Sequence, residues 1–326
     1  MFAGMSSSQS ISAVRLSVAA RGAGGGGDVL HLVGTNALLF SPASKLLRAK
    51  GRIVRHIFTP YDAKDRTVGP FRRLANRFFI DSYAFTTPRI GRWNDELSPR
   101  TKRFLVRPPI NCGFYRPQAG TSLEPELADP NLRTVLYMGP LMPTRFPQEA
   151  VLRAVKRLVE SGIKLRLVIL TSASRTTTAA CERVLQLSRD LSIAKNFLLK
   201  RVDLTEQERI GLYNSADVVI FPYVGPDPEK LADPPFGILE AMACGRIVLS
   251  SDVLSVPEVV EEGVTGFLLQ NTTVDEIERG ILRSLQTTGA GKIERNARER
   301  IVERFDYPRV ATDTLKAYNE LLSDNG

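Results

Sequence analysis

The sequence has little cysteine and little histidine, with three and two residues respectively among 326. Cys112, Cys181 and Cys244 are far apart, and none forms a Cys-x-x-Cys pair. Zinc sites and disulfide frameworks depend on closely spaced ligands or paired cysteines, so the pattern argues for a reducing cytoplasm and against a structural zinc site. Cys244 lies among small residues, where a packed thiol is a better interpretation than a nucleophile.

Long hydrophobic runs are also missing. No run approaches the ~18 to 20 apolar residues that cross a bilayer, so an integral membrane protein is not predicted. Residues 1–27 have little apolar density, no basic start, and end in four glycines, which indicates a flexible leader rather than a signal peptide. The hydrophobic content of 43% suits a globular chain long enough for two domains.

The formal net charge of +9 is unevenly distributed. Residues 45–107 hold sixteen Lys and Arg against five Asp and Glu. Such an excess attracts anionic partners such as phospholipid surfaces, nucleic acid or phosphorylated substrates, although a solvated arginine-rich surface is the alternative. No nucleic-acid recognition motif is present, so nucleic acid is not an expected partner. Apolar and basic residues interleave in one stretch, as on a membrane-surface helix: Phe71, Arg72, Arg73, Leu74, Arg77 and Phe78.

From residue 28 onward, short buried runs alternate with amphipathic stretches, which predicts an α/β fold with parallel sheets. The clearest local signal is Thr205-x-x-Glu208, a capping box that opens a helix to residue 215. Ligands bind such sheets beyond the carboxyl ends of their strands. The expected strands are 29–33, 53–59, 82–86, 103–106, 134–138, 165–170, 197–202, 218–222, 247–250 and 266–269.

Residues 233–269 carry the chemistry that the sequence points to. A proline-stiffened loop leads to Gly237, which lets backbone approach a ligand, and to a helix whose first N–H groups favour anions, above all a diphosphate. Glu240 lies about one turn into this helix, where it could accept hydrogen bonds from vicinal hydroxyls, as acidic residues do for ribose. The alternative is an ordinary surface helix with one charged residue.

Four elements in this order resemble the retaining GT-B glycosyltransferases of family 4: Phe236-Gly237, the Glu-Ala-Met-Ala-Cys-Gly helix at 240–245, Pro-Glu-Val-Val at 257–260, and Gly-Val-Thr-Gly-Phe-Leu at 263–268. The resemblance covers about residues 134–322. It implies two facing Rossmann-like domains. The early strands and glycine-rich loop of the N-terminal domain are not visible before Asp28, so that domain is expected to be incomplete.

The domain organisation that follows has four parts. A leader occupies 1–27, a shortened acceptor-side domain 28–120, and a nucleotide-sugar-binding domain 121–305. A C-terminal helix over 306–326 is expected to pack back on the N-terminal domain. The Pro108-Pro109 pair and the proline-rich stretch 117–130 are the predicted linker.

The resemblance also implies the donor site, residue by residue. Glu240 would hold the ribose hydroxyls, and the loop around Phe236, Gly237, Ile238 and Leu239 the phosphate and sugar. Val202 and Asp203 match the edge that holds the nucleobase.

The diphosphate side departs from the family, which has Gly-Arg after the first strand of this domain and a Lys about five residues later. Here Gly139 is followed by Pro140, so that Arg is missing, and Arg145 near the Lys position is the remaining candidate cation.

The acidic residues depart from the family as well. The family has two acids separated by seven residues, the first contacting the donor sugar. Eight positions before Glu240 stands Ala232, and Asp233 is one place closer. Either Asp233 does the first acid's work, or that contact is absent. His31 lies near the family's histidine motif but two residues early, so a satisfied structural histidine is the favoured interpretation.

The implied reaction is transfer of a sugar from a nucleoside diphosphate to an acceptor hydroxyl with retention, without metal or a further cofactor. Asp233 and Arg145 are the expected catalytic residues. The acceptor would be lipid-linked or a polysaccharide, reached by a cytoplasmic enzyme whose residues 45–107 contact an anionic membrane. Two alternatives remain open: a non-catalytic nucleotide-sugar-binding relative or partner subunit, and a GT-B sugar-nucleotide epimerase.

Overall fold

The structure is a computed structural model that describes residues 16–18, 29–33, 52–57, 80–93, 102–118, 131–225 and 233–323. The chain divides into two compact units, which are treated separately. Unit 1 comprises Met1–Pro109, Glu229–Pro234 and Tyr307–Gly326; unit 2 comprises Ile110–Pro228 and Pro235–Asp306. Each unit contains its own sheet, and the predicted α/β class is confirmed.

Unit 1 has a five-stranded sheet in the order β1-β2-β3-β4-β5. The β1 and β2 strands pair antiparallel, and all the other pairs are parallel. The elements of unit 1 are β1 Leu16–Val18, β2 Val29–Val33, β3 Arg52–Ile57, β4 Ser82–Phe85, α1 Pro88–Trp93, β5 Lys102–Leu105 and α9 Tyr307–Ser323.

The core of unit 1 depends on the C-terminal helix α9. Val310 and Leu321 of α9 share a buried cluster with strand residues that include Val29 and Val54. Their spacing of eleven residues is three helical turns, which places both on one face of the helix. Apolar burial of this kind contributes about 25 cal/mol per Å².

Part of the N-terminal segment is ordered into the sheet. Leu16–Val18 pair with β2, whereas we expected all of residues 1–27 to be a flexible leader. The pairing gives the edge of β2 a hydrogen-bonding partner, which three extended residues can supply through their backbone. The rest of the leader, the expected helix over 38–50 and the basic stretch over 60–79 lie outside the described residues.

Unit 2 has a six-stranded, wholly parallel sheet in the order β11-β10-β9-β6-β7-β8. Its strands are β6 Arg133–Met138, β7 Leu165–Thr171, β8 Phe197–Arg201, β9 Val218–Phe221, β10 Ile247–Ser251 and β11 Phe267–Leu269. Its helices are α2 Gln148–Glu160, α3 Thr178–Asp190, α4 Glu206–Ser215, α5 Phe236–Ala243, α6 Val256–Val259, α7 Val274–Gln286 and α8 Ala290–Phe305.

Local sequence explains several of these elements. In α4 the predicted capping box is confirmed, because Thr205 accepts from the Glu208 amide and Glu208 accepts from the Thr205 amide. Helix α2 buries Val151, Leu152, Val155 and Leu158, a spacing that forms one apolar face against the sheet. The β7 strand is buried at every position, as a central parallel strand with helices on both faces requires.

The boundary between the units lies at Pro109/Ile110, eleven residues before the boundary that we expected at 120/121. Ile110 forms a β-bridge with Asp306, and its amide donates to the Phe305 carbonyl at 2.7 Å. The Asp306 carboxylate accepts from the Cys112 amide at 3.1 Å. These backbone contacts hold the segment after Ile110 within unit 2. Residues 119–130 of the predicted linker lie outside the described residues.

Arg298 of α8 connects three parts of unit 2. Its guanidinium donates to the carbonyls of Cys112 at 3.2 Å and Tyr115 at 3.0 Å, and to that of Ala243. Ala243 is the last residue of α5, where carbonyls lack helical partners and a positive charge is favourable. Arg298 therefore fixes the C-terminal end of α5 against the 110–118 segment.

We predict that Arg298→Ala lowers the free energy of unfolding by about 2 kcal/mol, because it removes charge-assisted hydrogen bonds to three carbonyls. Arg295→Ala on the exposed side of the same helix is the matched control and should change it by less than about 0.5 kcal/mol. Urea unfolding followed by circular dichroism measures both. Equal effects of the two substitutions would contradict this role.

Candidate functional site

The sheet of unit 2 has a topological switch point. The β6 strand lies between β9 and β7, and the chain leaves β6 toward β7 on one side but returns to β9 on the other. In such sheets a crevice opens beyond the carboxyl ends of the two strands at the switch point. The residues that follow β6 and β9 therefore line the favoured ligand position in this unit.

The β6 loop, residues 139–147, is tied to the residues that follow β9. The Val224 amide donates to the Thr144 carbonyl at 2.9 Å. Gly139, at the end of β6, donates to the Leu170 carbonyl at 3.0 Å, which continues the β6–β7 pairing. These bonds hold the Arg145 backbone next to the segment that leads toward α5.

Helix α5 starts without a side-chain cap. Its N-cap residue is Pro235, and the amides of Ile238 and Leu239 donate to the Pro235 carbonyl at 3.1 and 3.4 Å. The side chains of Ile238 and Leu239 are completely buried, so these two predicted site residues anchor the helix. The amides of Phe236 and Gly237 point out of the helix start, where an anion would bind.

Gly237 allows the start of α5 to lie against the sheet. A Cβ atom at this position would be 2.9 Å from the Phe221 ring, which is buried at the end of β9. Gly139 is similarly close to its own strand, because a Cβ there would be 2.8 Å from the Tyr137 hydroxyl. Both glycines therefore serve close backbone packing at the carboxyl ends of β9 and β6.

Arg145 is half-buried in the β6 loop, next to the phenols of Tyr137 and Tyr223. Burial raises the pKa of both phenols, and the Arg145 charge acts in the opposite direction. The Tyr137 hydroxyl donates to the Pro140 carbonyl at 2.8 Å, which fixes the residue that stands in place of the family's arginine. Arg145 is thus oriented by a braced loop and by aromatic neighbours.

Glu240 is buried and bonded to helix α4. One carboxylate oxygen accepts from the Arg209 guanidinium at 3.3 Å, and the other accepts from the Tyr213 hydroxyl at 3.0 Å. Arg209 and Tyr213 are one turn apart and so share one face of α4. Burial raises the pKa of Glu240, whereas Arg209 and the hydrogen bonds lower it. A carboxylate has about four acceptor positions, and Tyr115 supplies a third hydrogen bond, so about one position is left for a ligand hydroxyl.

Two arginines near this site escaped the sequence analysis. Arg209 is 31 residues from Glu240 in sequence, and no local pattern links the two. Arg175 follows the carboxyl end of β7. Ligands bind beyond such strand ends, so this position could have identified Arg175 as a candidate site residue. The pKa of Arg175 is lowered, first by burial and then by the charges of Arg145 and Arg209, so the three guanidinium groups lie close together.

Val202 and Asp203 lie at the edge of the unit 2 sheet. They follow β8, which is separated from β6 by β7. The Val202 amide donates to the Thr171 carbonyl at 2.8 Å, and its side chain is 40% exposed. An exposed apolar side chain beside an exposed carboxylate suits the face and edge of a nucleobase. Val202 and Asp203 follow β8 and Arg145 follows β6, so one strand, β7, separates them in the sheet.

Asp233 and His31 belong to unit 1. Asp233 is 1% exposed, and it accepts a hydrogen bond from the Thr87 hydroxyl at 3.4 Å. The same hydroxyl accepts from the Ile90 amide at 3.2 Å at the start of α1. His31 is buried and hydrogen-bonded to the Tyr318 hydroxyl of α9. Burial lowers the pKa of His31 to about 4, which keeps the ring neutral at pH 7.

The three cysteines are free and buried. Burial raises the pKa of the Cys112 and Cys244 thiols to about 12, so neither is a thiolate at neutral pH. Within the described ranges, no group of three or more His, Cys, Asp or Glu residues is placed to hold a metal ion. No helix in that part of the chain is both long and apolar enough to cross a membrane.

The sequence of unit 2 is similar to known proteins. Residues 132–287 match the family model described as glycosyl transferases group 1. This part of unit 2 is therefore similar to a glycosyl transferases group 1 domain. A D-inositol 3-phosphate glycosyltransferase of Rhodococcus erythropolis is 27% identical over 226 residues, which are 68% of this chain and 49% of that protein. The chain thus spans about half the length of the curated relatives it matches.

Solved structures are similar over most of the chain. A sucrose-phosphate synthase of Thermosynechococcus elongatus has a TM-score of 0.72 at 17% identity, covering 91% of this chain and 74% of that one. The HepE protein of Anabaena, solved with UDP-glucose, has a TM-score of 0.68 at 17% identity, covering 90% and 78%. These likenesses show that the fold is that of the GT-B glycosyltransferases.

Proposed function

We propose that unit 2 acts in a retaining, family 4 type glycosyltransferase, which moves a sugar from a nucleoside-diphosphate sugar to an acceptor hydroxyl. The observation that carries the proposal is the start of α5 beside the β6 loop. Phe236 and Gly237 begin α5 near the end of β9, and Arg145 lies in the loop after β6, so both sets of residues follow strands of the switch point. Amides at a helix start together with a guanidinium suit a diphosphate.

The chemistry would depend on stabilising the leaving group. Negative charge grows on the diphosphate as the bond from the anomeric carbon to oxygen breaks, and fixed donors near that oxygen lower the barrier. Arg145 would be the catalytic cation, and the α5 amides would add donors. Glu240 would hold the ribose hydroxyls, with Val202 and Asp203 at the nucleobase. The donor is proposed as substrate, and no separate cofactor or metal is invoked.

Retention of configuration is proposed on the resemblance, and the site chemistry is compatible with it. Glu240 is engaged with Arg209 and Tyr213, so it is poorly placed to act as a covalent nucleophile.

The HepE structures were solved with UDP or UDP-glucose, which makes uridine nucleotides the first donors to test. Transfer to an acceptor would separate an enzyme from the two alternatives, a non-catalytic binder and an epimerase.

We predict that Glu240→Gln weakens binding of the preferred nucleoside diphosphate about tenfold, because charge-assisted hydrogen bonds to the ribose hydroxyls are lost. Glutamine keeps the size of the side chain and leaves Arg209 an acceptor, whereas alanine would leave a buried charge unpaired. Calorimetric titration with UDP, GDP, ADP and dTDP measures the effect. Affinity for the matching 2′,3′-dideoxynucleoside diphosphate should not change, and an unchanged affinity for the parent nucleotide would refute the role.

For Asp233 we propose the work of the family's first acid, contact with the donor sugar. Asp233→Asn should then lower affinity for the nucleotide sugar about tenfold and leave affinity for the nucleoside diphosphate unchanged. A purely structural role, through the Thr87 hydrogen bond, would instead reduce the melting temperature and affect both ligands equally. Titrations of UDP-glucose and UDP against the two proteins, with melting curves, distinguish these results.

On the acceptor side, we propose that residues 45–107 contact an anionic membrane and deliver a cytoplasmic enzyme to a lipid-linked or polysaccharide acceptor. Their net excess of positive charge supports this, since each cation contributes up to ~1 kcal/mol near such a surface. Binding to phosphatidylserine vesicles should weaken as salt shortens the Debye length from ~10 to ~3 Å. Neutral vesicles are the control in a co-sedimentation assay, and absence of binding at low salt would favour a soluble acceptor.

A further inference from the structure

We propose that Arg175 is a second cation of the diphosphate subsite in unit 2, supplying charge from the β7 loop, residues 172–176. The inference rests on the proposed donor site and adds a residue to it. The β6 loop contributes one guanidinium group, that of Arg145, to the proposed site. Arg175 would add a second guanidinium group from a neighbouring loop.

The β7 loop is positioned beside the β6 loop. The β6 and β7 strands are hydrogen-bonded neighbours, so the residues that follow both strands emerge at the same edge of the sheet. The Leu141 amide of the β6 loop donates to the Thr176 hydroxyl at 3.1 Å. Arg175 precedes Thr176, and its backbone is therefore fixed next to the loop that carries Arg145.

The β7 loop is also braced from its other side. Arg201 at the end of β8 donates to the Thr176 carbonyl at 2.8 Å and to the Ala173 carbonyl at 3.0 Å. The Arg175 amide donates to the Ser172 carbonyl at 3.2 Å, which closes a turn. A loop held by its own turn and by bonds on both sides presents the Arg175 side chain from a defined place, so little ordering is required when an anion binds.

Two further positive charges act on Arg175. Arg175 lies close enough to Arg145 and Arg209 for both to disfavour its protonated form. Arg209 is paired with Glu240, which lies on the helix whose first amides point toward the proposed diphosphate. Gathering guanidinium groups costs free energy in the empty protein, and an anion of two negative charges would relieve the repulsion. The arrangement suits a diphosphate better than a neutral ligand.

The exposure of Arg175 favours this role over a structural one. Arg201 donates to backbone carbonyls and holds the loop, whereas Arg175 is buried enough to lower its pKa and still exposed enough for a ligand to reach it. A solvated surface arginine would be equally exposed, but it would have no effect on ligand affinity. The two roles therefore differ in what a titration measures.

The test compares Arg175→Ala, Arg175→Lys and Arg189→Ala with the unsubstituted protein. Arg189 is the matched control, because it lies in the last turn of α3, near the amino ends of the strands and away from the proposed site. Its guanidinium donates to the Gln186 side chain. The probes are inorganic pyrophosphate, UDP, GDP and the nucleosides uridine and guanosine, titrated by calorimetry at low and high salt. Arg145→Ala serves as the reference for the cation that the donor-site proposal already contains.

We expect Arg175→Ala to lower affinity for pyrophosphate and for the preferred nucleoside diphosphate about tenfold, and to leave the nucleoside unaffected. Lysine should recover part of the loss, since a point charge replaces a fork of donors. Arg189→Ala should change nothing. The salt dependence of diphosphate binding should become shallower in Arg175→Ala as one charge contact is lost.

The failures are distinguishable. If the unsubstituted protein binds neither pyrophosphate nor any nucleoside diphosphate, the proposed function itself is wrong. If it binds and Arg145→Ala weakens binding while Arg175→Ala does not, the donor site stands and the assignment of Arg175 is overturned. Equal losses for nucleoside and diphosphate in Arg175→Ala would overturn it too, because they would show that Arg175 acts through packing.

Discussion

The ion pair between Glu240 and Arg209 holds helices α5 and α4 of unit 2 together. Both side chains are almost fully buried, and Tyr213 supplies a further hydrogen bond to the same carboxylate. Removing one member of such a pair leaves a buried charge without its partner, which costs about 3 to 5 kcal/mol. Glu240, the proposed contact to the ribose hydroxyls, is therefore also a structural residue. The direction in which α5 starts follows from the bonds that Glu240 makes.

Close packing and a charged side chain fix the two ends of the same helix. Gly237 lies where any side chain would meet the Phe221 ring, and Arg298 binds the carbonyl of Ala243 at the helix end. The helix is thus fixed at its start by the absence of a side chain and at its end by a long charged one. Fixed amides at its start need no reorganisation when charge develops on a ligand, and this is the condition under which such donors contribute most.

The alternation of strands and helices, the capping box at Thr205 and the helix that carries Glu240 could be predicted because each depends on neighbouring residues. The first strand, Leu16–Val18, could not be predicted, since a three-residue edge strand is stabilised by its partner β2 rather than by its own composition. Arg209 was missed for a similar reason, because its partner is remote in sequence. The position of Arg175 after a buried parallel strand is visible in the sequence and indicates a residue near the ligand-binding end of the sheet.

The two units are interleaved along the chain, and this affects the order in which a ribosome could complete them. Unit 1 contains early residues, yet Val310 and Leu321 of α9 belong to its buried cluster. Unit 2 ends at Asp306, before α9 has been synthesised. During translation, then, unit 2 can assemble while unit 1, which begins earlier in the chain, still lacks its last helix. This reverses the usual sequence in which N-terminal domains fold first.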